Sequence, residues 1–166
     1  MPDKNVKRAI FEAVEECYEK ANRFYGLDLK IPEIQFWSKL QVNGSIRWNT
    51  RTKTVYYIRF NTTQAKGDID KFLKDTVPHE VAHHVDIARR GRTLHDSVWK
   101  SICRRLGGSG TRCTMYNMKD VPVPKGYFAY TCKCGVFHLT KIRHNKIVRG
   151  KKYFCSTCRQ EIAHVK

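Results

Sequence analysis

Val77-Pro78-His79-Glu80-Val81-Ala82-His83-His84-Val85 is the stretch on which the reading of this chain turns. His79 and His83 are four residues apart, so on an α-helix they stand one turn apart on the same face. Two imidazoles need that spacing to hold one metal ion. Glu80 then projects beside the metal, where its carboxylate can take a proton from water. Val77, Val81 and Val85 anchor the helix on its other side.

The pattern extends upstream. Ile69, Phe72, Leu73, Thr76 and Val77 continue into Val81, Val85 and Ala88 with helical periodicity. Pro78 lies inside it, which predicts either a kinked helix or a second helix starting there. Gly91 ends the helix, and a shorter one follows from Ser97 to Leu106. A catalytic zinc ion takes three protein ligands and keeps one open position. His95 is the best third ligand, because the Gly91 turn can return the chain to the metal while Trp99 packs the short helix. His84, Asp86 and Asp96 are the rivals. His84 points roughly 100° away from His83 on a helix of about 3.6 residues per turn, which makes it an outer or surface histidine.

Working outward to the N-terminus, residues 5–25 read as an amphipathic helix. Ile10, Val14, Cys17, Ala21 and Tyr25 form its stripe, and Gly26 is its stop. Three runs of β character follow: Ile34–Trp37, Ser45–Trp48 and Thr54–Phe60. Asn43-Gly44 and Asn49–Lys53 read as the turns between them, so the expectation is a three-stranded antiparallel meander. Gly107-Gly108-Ser109-Gly110 and Val121-Pro122-Val123-Pro124 bracket a linker. The division is a first domain over 1–110, a linker over 111–126 and a small domain over 127–166.

That small domain holds Cys132-Lys133-Cys134 and Cys155-Ser156-Thr157-Cys158. Phe137–Arg143 and Lys151–Phe154 read as two strands around Asn145 and Gly150, a zinc-ribbon pattern. Four thiolates, Cys132, Cys134, Cys155 and Cys158, would close a structural zinc site, with His138 in place of Cys132 or Cys134 as the competing set. Cys17, Cys103 and Cys113 are scattered. The seven cysteines therefore suit metal ligation in a reducing compartment, cytoplasmic or, in a eukaryote, nuclear. No apolar run is long enough to cross a bilayer, and no membrane partner is expected.

The formal net charge is +17, and residues 111–166 carry twelve Lys and Arg against two Asp and Glu. Such an excess predicts a polyanionic partner. Lys141, Arg143, Lys146, Arg149, Lys151 and Lys152 are interleaved with Tyr127, Tyr130, Tyr153 and Phe154. Cations can track phosphates while aromatic rings stack on unpaired bases, so the expected partner is DNA, single-stranded or bound without sequence specificity.

The chain resembles the SprT-like metallopeptidases, the family of the Spartan-type DNA–protein crosslink proteases. The resemblance runs through Val77–His83, Gly91-Arg92-Thr93-Leu94-His95, Trp99-Lys100, Leu106–Arg112 and the cysteine-bearing tail. Where that family commonly has Gly after the third histidine, this chain has Asp96, a candidate outer partner of the metal site. The resemblance implies an α+β protein with a zincin-like core and a C-terminal zinc ribbon. It also implies a zinc endopeptidase using Glu80 as general base, with His79, His83 and His95 on the metal. Its substrates would be proteins bound or crosslinked to DNA, which places it in DNA repair. Two other readings stay open: a zinc-dependent nucleic-acid-binding or regulatory module, and a metal-dependent hydrolase of a non-peptide bond.

Overall fold

The computed structural model describes residues 3–38, 42–155 and 157–165, so Ser156, in the spacer of the second cysteine pair, lies outside it. The chain divides into two compact units, one running to Thr114 and the other starting at Met115.

In the first unit, α1 (Asp3–Tyr25) buries Val6, Ile10, Val14, Cys17, Tyr18 and Ala21 against α3 (Ile69–Arg90). The short α2 (Thr62–Gly67) is capped by Asn61, whose side chain accepts from the backbone N–H groups of Thr63 and Gln64. Asp68 caps α3 in the same way through Lys71 N–H. Pro78 neither ends nor restarts α3: it lies inside one continuous 22-residue helix. The missing proline N–H removes one bond of the ladder, and burial of Phe72, Val77, Val81 and Val85 outweighs that loss. Gly91 closes α3 at φ 68°, its N–H donating to Ile87 O. The short α4 (Ser97–Arg105) follows.

The sheet corrects the expected meander. Strands β1 (Glu33–Trp37), β2 (Gly44–Trp48) and β3 (Val55–Asn61) are ordered β1-β3-β2, with β1 parallel and β2 antiparallel to β3. The reason lies in β3, the longest strand. It is apolar enough to be paired on both sides, and its Ile58 and Phe60 are fully buried. The β2–β3 hairpin then forms part of the long return that parallel pairing of β1 and β3 requires. Asn43-Gly44 is no hairpin turn. Gly44 opens β2, and Asn43 O accepts from Asn61 N–H.

In the second unit, β4 (Tyr127–Cys132) and β5 (Gly135–Thr140) form a hairpin whose two-residue loop is Lys133-Cys134. The expected strand over Phe137–Arg143 stops at Thr140. Lys141–Val148 is helix α5, and Gly150, expected at a turn between strands, lies just past its end at φ 89°. A helix here lets Ile147 reach the small core of Tyr130, Phe137 and Leu139. Lys151–Phe154 is not a strand either: Phe154 makes an isolated bridge to Glu161, and β6 (Ala163–His164) completes the sheet on β4. The stretch read as a linker holds buried Tyr116 and Met118, and Met118 N–H donates to Val136 O. Among the described residues, no helix is long and apolar enough to cross a membrane.

This architecture makes β3 the keystone of the first unit. Phe60→Ala should lower unfolding free energy by about 3–5 kcal/mol. Tyr56→Ala on the same strand, where the side chain is 49% exposed, should stay within about 1 kcal/mol. Urea titrations of the two variants check this, and equal losses would contradict it.

Candidate functional site

Helix α3 turns His79 and His83 to one face, and the loop after Gly91 brings His95 against them. Nε2 of His79 and Nε2 of His95 are 3.0 Å apart. The three ring centroids are separated by 4.9, 4.9 and 4.8 Å. One donor nitrogen from each ring lies within 4.8 Å of the others. Zn–N bonds of about 2.0–2.1 Å in a tetrahedron place neighbouring nitrogens roughly 3.3 Å apart, so three imidazoles so arranged fit one zinc ion. Outer hydrogen bonds hold two of the rings. His83 Nδ1 pairs with Thr93 Oγ1 at 2.6 Å, and the His79 ring bonds to the Thr111 backbone. Burial, reinforced by the neighbouring rings, lowers His79 to about 4 and His83 to about 2. Both imidazoles are thus neutral and able to donate to a metal at pH 7. Trp99, fully buried, packs its ring 4.5 Å from His79, 5.0 Å from His83 and 4.5 Å from His95.

Arg90 holds the loop that returns His95. Its guanidinium donates through Nε and Nη2 to the fully buried Asp86 carboxylate, and through Nη1 and Nη2 at 3.0 Å to Asp96. Asp96 also accepts from Trp99 N–H and so caps α4. The Arg90 contact, followed by that N–H, holds the Asp96 carboxyl down at about 2. Asp86 and Asp96, weighed above as rival ligands, therefore belong to the scaffold. His84 is no surface histidine: its Nδ1 lies 2.6 Å from Tyr18 Oη, half-buried between α1 and α3.

Glu80 is 4% exposed, and burial alone raises its carboxyl to about 8. Gly44, the first residue of β2, makes the room for it. A Cβ there would stand 2.6 Å from Glu80 Oε1 and 2.7 Å from its Cγ. Glycine also shapes the 107–112 loop. At Gly108 a Cβ would meet Cys103 Sγ at 2.7 Å, and Gly110, at φ 69°, packs on Arg104 and the Lys100 carbonyl. That close approach carries Thr111 to His79. An open cleft beside the histidines is lined by Thr93, Lys100, Arg104, Thr111 and Arg112.

In the second unit the sulfurs of Cys132, Cys134, Cys155 and Cys158 converge within 4.8 Å of one another. The Cys155–Cys134 and Cys158–Cys132 pairs are 4.0 and 3.5 Å apart, and all four thiols are free. Zn–S bonds of about 2.3 Å imply roughly 3.8 Å between sulfurs, so the cluster fits a four-thiolate zinc site. Backbone N–H groups of Cys158 and Thr157 lower Cys155 to about 6, giving the cluster a ready thiolate. His138 lies outside the cluster, in mid-strand opposite Ala129. Lys141, Arg143, Lys146, Arg149, Lys151 and Lys152 are all exposed on α5 and the segment after it. Lys152 pairs with Glu161 at 3.3 Å.

The sequence reading did not single out Thr93, Thr111, Arg90 or Gly44 for these roles. An Arg seven residues after a candidate ligand histidine, next to a helix-ending Gly, was the one available signal, and it resembles an ordinary helix C-terminus.

Residues 14–119 match the model of the SprT-like family. The chain is 30% identical to Protein SprT of Pseudomonas savastanoi pv. phaseolicola over 98% of its own length and 94% of that protein's. It is 28% identical to Protein SprT of Shewanella oneidensis, over 92% of this chain and 96% of that one. No solved structure gives a significant match.

Two measurements follow from the site. Metal analysis of the purified chain should find about two zinc ions, falling to about one both in His95→Ala and in Cys155→Ser/Cys158→Ser. An unchanged content in either variant would reject that site. Glu80 also sets a pH dependence. Its folded pKa lies above the unfolded one, so its stability contribution is fully present below pH 4.5 and is lost as pH rises through about 8. In metal-stripped protein, Glu80→Gln should melt about 5 °C or more above the parent at pH 9 and level with it at pH 4.5. Parallel melting curves across that range would mean the carboxylate is solvated.

Proposed function

The chain belongs to the SprT-like family, and from that premise we propose that it is a zinc-dependent endopeptidase acting on proteins bound or crosslinked to DNA. The observation that carries the peptidase reading is the convergence of three imidazoles at one point, with a buried carboxyl group next to His79 on the same helix. His79, His83 and His95 would hold the zinc, and Cys132, Cys134, Cys155 and Cys158 a second, structural one. Zinc in the histidine site supplies Lewis acidity, which polarises an amide carbonyl and acidifies water. Glu80 would take a proton from water in the cleft and pass it to the leaving amine. Burial makes the Glu80 carboxylate a stronger base once it is ionised. Trp99 and the outer bonds from Thr93 and Thr111 keep the rings in register during the exchange.

The exposed cations Lys141, Arg143, Lys146, Arg149, Lys151 and Lys152 support DNA as the surface on which substrates are met. The free thiols suit a reducing compartment, cytoplasmic or nuclear. A binding module with a vestigial site is the weaker reading. Burying an ionisable carboxyl group opposes folding, and a protein that performs no chemistry gains nothing from keeping it.

The deciding assay is cleavage of a basic DNA-binding protein by the zinc-loaded chain, with and without single-stranded DNA. Glu80→Gln should lose about 100-fold or more of the rate while zinc content and DNA affinity stay at the parent level. Parent-level cleavage by that variant would reject the mechanism. Zinc and DNA binding without any cleavage by the parent would favour the binding module.

A further inference from the structure

Helix α4 presents two different sides. Lys100 and Arg104 line the cleft at the histidines. Ser97, Ser101 and Arg105, also spaced by four, line a separate groove of about 500 Å³ together with Phe24 and Tyr25 from the end of α1 and Arg89 from the last turn of α3. Arg89 lies over the Tyr25 ring at 4.8 Å, and Arg105 lies 5.2 Å from both the Phe24 and Tyr25 rings. Stacking occupies a guanidinium's flat face and leaves its N–H edge pointing outward in a restricted orientation.

Among the described residues, no carboxylate lines this groove. Among the described residues, neither Arg89 nor Arg105 forms an ion pair, whereas the adjacent Arg90 is fully engaged by two carboxylates. With Arg23, which lies 5.4 Å from the Phe24 ring, three guanidinium groups crowd one pair of rings, and an anion would relieve their repulsion. The remaining polar side chains are hydroxyls, which can donate. A donor-rich, open groove walled by aromatic rings fits a phosphate next to a flat base. Uncompensated cations also continue across α4, through Arg104 and Lys100 to Arg112 at the cleft. A strand can follow such a row, while a small phosphate could fill only one end of it.

We infer that this groove seats the phosphate backbone of a single-stranded nucleic acid on the histidine-bearing unit, with Arg89 and Arg105 on phosphate and Phe24 and Tyr25 against a base. The inference rests on the nucleic-acid partner of the proposed function and adds a contact surface apart from the basic tail. A strand held there lies about one helix diameter, roughly 10 Å, from the catalytic cleft.

The test uses the full zinc-loaded chain and a fluorescent oligothymidylate, followed by anisotropy over a salt series. Arg89→Gln/Arg105→Gln should weaken binding about tenfold and reduce the logarithmic salt slope by about 1.4, the value for two phosphates on a single strand, with melting temperature unchanged. Ultraviolet crosslinking of the parent should attach the oligonucleotide to the peptide bearing Phe24 and Tyr25. Arg89→Lys/Arg105→Lys should keep the slope while losing part of the crosslink, a pattern that mere compensation of a helix end would not produce. Lys146→Gln/Arg149→Gln reports on the tail separately. Unchanged affinity and slope in the Arg-to-Gln variant, with crosslinks confined to residues 127–166, would overturn the inference. The tail reading would then stand or fall on its own variant. Inorganic phosphate competing as well as the oligonucleotide at equal phosphate concentration would also overturn it, in favour of a small-phosphate site.

Discussion

The Arg90 guanidinium donates to two carboxylates at once, Asp86 one turn back on α3 and Asp96 at the start of α4. Asp86 is fully buried, and a buried carboxylate is tolerable only while paired. Arg90 is therefore held to α3, and through it the far end of the 91–96 loop is held as well. That loop delivers both His95, which meets His79, and Thr93, which meets His83. Asp96 in turn starts the helix that carries Trp99 under all three rings. One cation thus sets the position of one clustered histidine, the orientation of a second and the floor beneath them.

Close packing around this centre is obtained by removing side chains. Gly44 lets the sheet edge touch Glu80, and Gly108 lets the following loop lie on Cys103 and Pro78. Neither position needs glycine for its backbone angles, since φ is positive at neither. Both need it because a methyl group would occupy space that the site already uses. The high basicity of Glu80 follows from the same geometry, for the strand that reaches it also keeps water away.

The histidine cluster was easier to read from the sequence than the scaffold. His79, Glu80 and His83 announce themselves because helical spacing turns a linear pattern into a spatial one. His95 was accessible because a glycine turn and a metal's need for a third donor restrict the choice. Strand order was not accessible in this way. Apolar runs show that β1, β2 and β3 exist, but the middle strand is chosen by burial of Ile58 and Phe60, a tertiary quantity. The segment Lys141–Val148 was misread for a related reason. None of its side chains is fully buried, so no strong amphipathic stripe separates a surface helix from a strand. Thr93, Thr111 and Arg90 were hidden because their roles arise from distances between loops.

The two donor sets share no residue, and each is complete within its own unit. Each site therefore has its own occupancy curve, without a common ligand to couple them. Four thiolates closing a coordination shell hold zinc against a falling supply more firmly than three imidazoles that leave a position open. A zinc ion held by the histidines would therefore be the first to leave as the surrounding zinc activity drops. Under the proposed function, the chemistry of the histidine site would then lapse while a zinc-loaded cysteine unit keeps its fold.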